Sequence, residues 1–175
     1  MNINRKLNTM MKTLLCLPMA ALLITAAMAG PASADQGVPF KGNVAGTENF
    51  TPKDGGIIVD GSGGGHATHL GKFTATWGAD ITFTNPDNLH PMVRVFVAAN
   101  GDELHAEGLG SGTNPADHPN QNQTVVENLV ITGGTGRFLG AGGSITVIRV
   151  VYAVRPPFAN LETAGSMNGT ITLAH

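Results

Sequence analysis

Residues 131–143 (ITGGTGRFLGAGG) constrain the fold of this chain more than any other stretch. Glycines surround Arg137, Phe138 and Leu139, and runs rich in β-branched residues flank the segment on both sides. Glycine tolerates the backbone conformations that close tight turns, whereas β-branched side chains favour strands. The pattern therefore predicts a strand that ends, a compact turn, and a strand that begins again.

The same mixture extends over the chain beyond residue 34 and predicts an all-β protein. Helix signals are nearly absent there, and short runs rich in Val, Ile, Thr and Phe alternate with glycines. Asn100-Gly101 predicts a hairpin, because both residues tolerate positive φ. A flexible connection is predicted at residues 61–65 (GSGGG) and a long polar loop at residues 110–122. The predicted strands span residues 40–47, 56–60, 66–77, 80–84, 92–99, 103–109, 124–132, 144–154 and 169–173.

Residues 1–34 have the composition of a cleaved secretory signal peptide. A positive n-region precedes an apolar h-region at residues 14–27, and residues 32–34 (ASA) offer small side chains to a signal peptidase. The apolar run is shorter than the roughly 20 residues that span a bilayer, which argues against a membrane anchor. We expect cleavage before Asp35 and a secreted or periplasmic protein.

Residues 35–175 are then one domain of 141 residues, long enough to bury a core. The single cysteine, Cys16, lies in the predicted signal, so the exported part forms no disulfide. That part has 7 Lys and Arg against 12 Asp and Glu, a net charge of −5. Nucleic-acid binding needs clustered Lys and Arg and is therefore not expected. No membrane span is expected after signal cleavage.

Side-chain alternation indicates which faces of the predicted strands are buried. In residues 66–77 the predicted buried face consists of Ala67, His69, Gly71, Phe73, Ala75 and Trp77. In residues 92–99 and 144–154, apolar side chains occupy both faces. A barrel with a filled interior and a partly covered exterior has this pattern, and so does a homo-oligomer formed through the barrel exterior.

Three segments carry a resemblance to a known family: residues 67–74 (ATHLGKFT), residues 131–141 (ITGGTGRFLGA) and Gly169-Thr170-Ile171. They resemble small secreted bacterial proteins of the allene oxide cyclase barrel-like group, which are similar in fold to plant dirigent proteins. The resemblance implies a single antiparallel, roughly eight-stranded, calycin-like β-barrel with one hydrophobic cavity. In the plant relatives that cavity binds a lipid-derived or phenolic substrate and steers its cyclisation or coupling. The resemblance transfers no catalytic residue to this chain.

The glycine segment has a second interpretation as a phosphate-binding loop, because Gly134-Thr135-Gly136 follows a predicted strand. A dinucleotide site also needs a helix that starts at the loop and an acidic residue about 20 residues further on. Here the chain returns to a β-type run at Ser144. The pattern favours a glycine-rich corner of the fold.

His66 and His69 form an HxxH motif. On a strand this odd spacing places the two rings on opposite faces, so they do not share a metal. His69 is predicted to point inward beside Phe73 and Trp77. It is either a core histidine that bonds a backbone carbonyl, or a general base or ligand contact at the mouth of a cavity.

Arg94, Glu127 and Arg149 lie among apolar neighbours on predicted strands. An unpaired charge there is costly, so each is expected to have a partner. The alternatives are a structural ion pair, an exposed barrel face, or polar groups that orient an apolar ligand in a cavity. The predicted ligand-binding residues are His69, Phe73, Trp77, Arg94, Phe96, Glu127, Arg149 and Tyr152, with Glu127 and His69 as catalytic candidates.

Two polar loops contain further metal-ligating side chains, namely Asp87, His90, Asp117 and His118. Their spacing matches no metal motif, so neither a metal nor a cofactor is expected. Three functions stay open on these observations. The first is a barrel that binds a small, mostly apolar molecule; the second is a cofactor-independent cyclase or isomerase. The third is a structural or surface-interaction protein, which a solidly packed interior would favour.

Overall fold

The computed structural model describes residues 37–112 and 121–174. These residues form a closed antiparallel barrel of eight strands in the order β1 to β8, which confirms the predicted fold class. A short 3-10 helix (Gly136–Phe138) lies between β6 and β7. The strands are β1 (Val38–Lys53), β2 (Gly56–Ala67), β3 (Gly71–Thr82), β4 (His90–Ala98), β5 (Glu103–Gly112), β6 (Gln123–Gly134), β7 (Gly142–Val151) and β8 (Leu161–Thr172). The predicted signal peptide, residues 1–34, lies outside the described residues.

The barrel closes where β8 pairs with β1, with Val38 opposite Ile171 and Glu48 opposite Leu161. Every strand thus has two hydrogen-bonded neighbours, and the sheet has no free edge. The single cysteine lies outside the barrel strands, so backbone pairing and side-chain packing hold the fold without a disulfide. Within the described residues, no helix has the length and apolar character needed to cross a membrane.

The glycine run 61–65 is not a flexible connection, because it forms the middle of β2. Gly61 faces the barrel interior opposite Trp77, and a Cβ at this position would overlap the indole ring. Glycine therefore serves here to make room for an aromatic side chain. The sequence predicts a short strand at residues 56–60 followed by a loop. In the structure both segments belong to the single strand β2, because its glycines allow this close approach.

The predicted strand 66–77 is interrupted by a turn at residues 68–70. His69 occupies the turn with φ of 65°, and its side chain is exposed. Its predicted inward orientation is therefore wrong, because the chain reverses before the alternation reaches it. The alternation is confirmed beyond the turn, where Phe73, Ala75 and Trp77 are buried on the inner face of β3.

β8 begins at Leu161, well before the predicted start at residue 169. Its first half is rich in small and polar residues, which hides the period-two pattern. The inward residues Leu161, Thr163 and Met167 are nevertheless buried. Gly165 faces Arg149 across the strand pair, and a Cβ there would press on the Arg149 side chain.

The glycine segment is the corner that the sequence predicts. Gly133 and Gly136 have positive φ, 128° and 54°, and β7 starts at Gly142 without an intervening α-helix. Gly134 does not have a positive φ, but a Cβ there would overlap the carbonyl oxygen of Glu103. Asp102 fastens the corner by accepting a hydrogen bond from the backbone N–H of Arg137 at 3.3 Å.

The interior has three levels along the barrel axis. At the end where β1 starts and β8 finishes, apolar side chains fill the barrel; we call this the packed end. Phe73 and Phe96 meet there edge to face, with ring centroids 5.5 Å apart. A layer of charged residues follows, and beyond it the barrel is hollow. The main packed-end side chains are Phe40, Phe73, Phe96, Leu104, Phe138, Ile145 and Ile171.

The exterior of β4 to β7 carries exposed apolar side chains, which accounts for the apolar residues on both faces of these strands. Val93 and Val130 are more than half exposed, at 56% and 58%, and Ile148 is exposed nearby on β7. Self-association through the barrel exterior stays a prediction.

Candidate functional site

Four buried charged side chains form a layer across the barrel: Glu48, Arg94, Glu127 and Arg149. Arg94 contacts both carboxylate oxygens of Glu127, with Nη2 2.9 Å from Oε1 and 2.7 Å from Oε2. Arg149 bridges the two acids, with Nε 2.7 Å from Glu127 Oε1 and Nη1 2.6 Å from Glu48 Oε2. The charged layer therefore contains two cations and two anions and has no net charge.

Strand alternation places these side chains together. Each of the four residues occupies an inward position on a different strand, and closure of the barrel turns the four positions toward one another. Apolar side chains flank Arg94, Glu127 and Arg149 on the inner face, and all four charged side chains are buried. The sequence prediction of a partner for Arg94, Glu127 and Arg149 is thus confirmed, and the partners are mutual.

Trp77 lies against the charged layer. Its indole Nε1 donates a hydrogen bond to Glu48 Oε2 at 2.8 Å. The Arg94 guanidinium carbon lies 4.7 Å from the ring centroid, within the range of a cation–π contact. Trp77 thereby contacts both a glutamate and an arginine of the charged layer.

Burial raises the pKa of Glu127, but the neighbouring guanidinium groups of Arg94 and Arg149 outweigh it, so the pKa lies below its usual range. Glu127 is therefore a carboxylate at neutral pH. Both of its oxygens accept hydrogen bonds from arginine. This saturation leaves Glu127 poorly suited to proton transfer and suited to holding the two arginines.

Glu48 is the member of the charged layer that the sequence analysis missed, because the predicted strand ends at residue 47. A usable signal exists in β1, where Phe40, Val44, Glu48 and Phe50 share one parity and are all buried. The residues after Gly46 have the composition of a polar loop. For this reason the sequence does not reveal that Glu48 belongs to the inward face of β1.

Above the charged layer the barrel encloses a cavity of about 410 Å³. The charged layer contributes Glu48 and Arg149 to its lining. The cavity lies at the end where β1, β3, β5 and β7 finish, opposite the packed end. The apolar lining residues are Phe50, Ile57, Val59, Ala79, Ile81, Phe83, Met92 and Val125, and the other polar ones are Thr82, Asn85, Asn88, His90, Ser111 and Gln123.

Two buried polar atoms of cavity-lining residues have no hydrogen-bond partner in the described part of the chain. They are Oε1 of Glu48 and Nε2 of Gln123. Glu48 and Gln123 are 1% and 2% exposed. Buried polar atoms without partners are rare in folded proteins, because each costs free energy. A hydrogen-bonding molecule beside Glu48 and Gln123 would satisfy these two atoms.

His90 lies at the start of β4 and lines the same cavity. One of its ring nitrogens, Nε2, is 3.2 Å from Oδ1 of Asn88. Burial lowers the pKa of His90, and the nearby carboxylate of Asp80 opposes this only in part. His90 is therefore neutral at pH 7. In the described ranges no three His, Cys, Asp or Glu residues gather as metal ligands, and Asp117 and His118 lie outside those ranges.

The structure brings together only some of the predicted site residues. Arg149 lines the cavity, Trp77, Arg94 and Glu127 lie in or against the charged layer, and Phe73 and Phe96 belong to the packed end. His69 and Tyr152 do not face the interior. Tyr152 is 42% exposed, because it follows the inward-facing Val151 and shares the outward parity of Ile148. Binding of a ligand by any of the eight stays a prediction.

The fold and the site define an eight-stranded antiparallel β-barrel protein with a chamber at one end. No protein-family model matches the chain, and no curated protein matches it. Among solved structures the chain is similar to pyocyanin demethylase, with 18% sequence identity and a TM-score of 0.47. The match covers 77% of this chain and 100% of that chain.

Proposed function

We propose that this protein is an exported β-barrel that binds a small, mostly apolar molecule in its cavity. One observation carries the proposal. The cavity of about 410 Å³ has eight apolar side chains in its lining, and two buried polar atoms of its lining residues, Glu48 Oε1 and Gln123 Nε2, have no hydrogen-bond partner within residues 37–112 and 121–174. Small-molecule sites typically have volumes of about 300–1,000 Å³, with apolar linings and a few placed polar groups.

The resemblance of residues 67–74 and 131–141 to the allene oxide cyclase barrel-like and dirigent group supports the same proposal. Members of that group share a barrel with one hydrophobic cavity. In this chain both segments lie at the packed end, in the turn between β2 and β3 and in the glycine corner. The resemblance thus concerns the scaffold, and the cavity residues are this chain's own.

A cofactor-independent cyclase or isomerase is the second candidate, and the observation that favours it is the carboxylate at the cavity floor. Glu48 lines the cavity and its Oε1 has no partner among the described residues, whereas both oxygens of Glu127 are occupied and His69 lies on the surface. If the protein is an enzyme, Glu48 is the acid or base, and Glu48→Gln abolishes turnover while apolar substrates still bind.

Trp77 provides the test of binding, because the chain contains one tryptophan and its ring is bonded to Glu48 at the cavity floor. Titration with apolar probes should change its fluorescence in a saturable way. Ala79→Phe, which places a ring inside the cavity, should abolish the response. Ala45→Phe, on the exterior of β1, is the matched control and should preserve it. Absence of saturable binding for every apolar probe would contradict the proposal and favour the structural alternative.

Export is part of the proposal and rests on the signal-like composition of residues 1–34. We expect the protein recovered outside the cytoplasm to begin at Asp35. N-terminal sequencing of the exported protein measures this directly. A membrane-embedded species that retains Met1 or Met11 would contradict it.

A further inference from the structure

We infer that the cavity selects an uncharged ligand that carries a hydroxyl or N–H donor and an oxygen acceptor on an otherwise apolar body. The inference rests on the proposed binding function and adds the chemical class of the ligand to it. Three observations carry it: the charge balance of the floor, the free oxygen of Glu48, and the free amide nitrogen of Gln123.

The charge balance excludes ions as preferred ligands. Glu48 and Glu127 neutralise Arg94 and Arg149 within hydrogen-bonding distance, and all four side chains are buried. An anionic ligand would meet Glu48 at the floor and would have to displace it from Arg149. A cationic ligand would add a third positive charge beside two guanidinium groups. Either ion would lose its hydration without gaining a free counter-charge.

Glu48 calls for a donor on the ligand. Oε2 is bonded to Trp77 and Arg149, and these two contacts fix the orientation of the carboxylate. Oε1 lacks a partner in the described residues and belongs to a residue that lines the cavity. A carboxylate oxygen only accepts hydrogen bonds, so the complementary ligand group is a hydroxyl or an N–H.

Gln123 calls for an acceptor. It lies at the start of β6 on the inner face, and its Nε2 has no partner within the same described ranges. An amide nitrogen only donates, so the complementary ligand group is a carbonyl, ether or hydroxyl oxygen. Eight apolar side chains, Ile57, Val59 and Met92 among them, also line the cavity. The ligand body is therefore apolar as well.

A series of benzophenones that differ only at the para position tests this inference. The substituents are methyl, hydroxymethyl, aminomethyl (a cation at pH 7) and carboxylate, and all four probes keep the ketone acceptor. Calorimetry with the folded protein should show the hydroxymethyl compound binding about tenfold or more tightly than the methyl, aminomethyl and carboxylate compounds, because it alone offers an uncharged donor. Tighter binding of the carboxylate or the ammonium compound would overturn the inference.

Glu48→Gln provides a sharper test, since it leaves a net positive charge on the floor. The preference should then shift toward the carboxylate compound, by about tenfold or more relative to the hydroxymethyl compound. Glu162→Gln, the same change on the exterior of β8, should leave the preference unaltered. An unchanged preference in folded Glu48→Gln would overturn the charge argument. If Glu48→Gln fails to fold, the benzophenone series and the substitution Gln123→Leu still test the inference.

Gln123→Leu removes the donor without changing any charge. It should lower the affinity for the ketone compounds about tenfold. The affinity for para-benzylbenzyl alcohol, which lacks the ketone, should stay nearly the same. The matched control is Gln121→Leu, two residues away with an exposed side chain. Equal affinities for all probes would overturn this inference but leave the proposed function standing. Absence of binding for every probe would contradict both.

Discussion

Trp77 and Glu48 are joined by a hydrogen bond of 2.8 Å between the indole Nε1 and carboxylate Oε2. The bond connects β3 to β1 across β2, where Gly61 supplies the space for the ring. Oε2 of Glu48 is thereby held by the protein, whereas Oε1 has no partner among the described residues. The aromatic ring thus orients the polar floor of the chamber.

Trp77→Phe should lower the free energy of unfolding by about 1–3 kcal/mol, because the buried carboxylate of Glu48 loses a donor and the smaller ring leaves a void. Urea unfolding monitored by circular dichroism measures the change. Tyr152→Phe, at an exposed position, should alter stability by less than about 0.5 kcal/mol. Equal stability of Trp77→Phe and wild type would show that the hydrogen bond contributes little.

Glu127→Gln should destabilise the barrel by about 3–5 kcal/mol, because it leaves Arg94 and Arg149 without their shared counter-ion. The change tests whether Glu127 is structural or catalytic. Chemical denaturation against Glu107→Gln, an exposed position on β5, isolates the effect of the buried charge. Full stability combined with loss of a catalysed reaction would instead identify Glu127 as a catalytic residue.

Stability should also fall in acid because of Glu127, whose pKa the two arginines hold below its usual range. A carboxyl group whose pKa is lower in the folded than in the unfolded state contributes to the free energy of unfolding. This contribution is complete above its unfolded-state pKa of about 4.3. Its contribution declines as the pH falls below that value toward the folded pKa. The pH dependence of unfolding over this range should be shallower in Glu127→Gln than in wild type. Parallel curves would contradict the assignment.

His90 should produce a separate pH effect closer to neutrality. Its burial lowers its pKa, so between about 6.5 and the folded pKa the unfolded chain binds a proton that the folded protein does not. The contribution of neutral His90 to stability is therefore complete above about pH 6.5, and it decreases as the pH falls toward the pKa of His90 in the folded protein. His90→Gln should flatten this part of the stability curve, as measured by urea unfolding over this pH range.

Gly136→Val should destabilise the fold by about 1–3 kcal/mol or more, because φ at this residue is 54° and a side chain would collide with Asp102. Gly78→Ala is the control, since a Cβ there meets no atom closer than 3.5 Å and φ is not positive. Thermal unfolding compares the two variants. Saturable ATP or NAD binding that Gly136→Val removes without unfolding would restore the phosphate-loop interpretation.

Strand alternation and turn glycines predicted an all-β protein because they are local signals, whereas the family resemblance implied the eight-stranded barrel. Phe73, Ala75 and Trp77 reveal their face by period two, and Asn100-Gly101 forms the hairpin that its composition predicts, with φ of 89° at Gly101. The errors arose where long-range contacts override composition. The glycine run 61–65 looks like a linker until the Trp77 ring is placed over it.

The candidate site was only partly predictable for the same reason. Arg94, Glu127 and Arg149 stand out as charges in apolar strands, so a partnership among them could be expected. Glu48 and Gln123 lie at the margins of polar segments and look like loop residues. Only closure of the barrel shows that both are buried and line the cavity, and that each has one polar atom without a partner among the described residues.

The pairing of Val38 with Ile171 gives the barrel a defined orientation for attachment. The first residues of β1 and the last residues of β8 lie side by side at the packed end, away from the mouth of the chamber. A tether, label or solid support joined at either end would therefore leave the mouth unobstructed. A biosensor made from this barrel could be immobilised beside the first residues of β1 or the last residues of β8 while its chamber faces the surrounding solution.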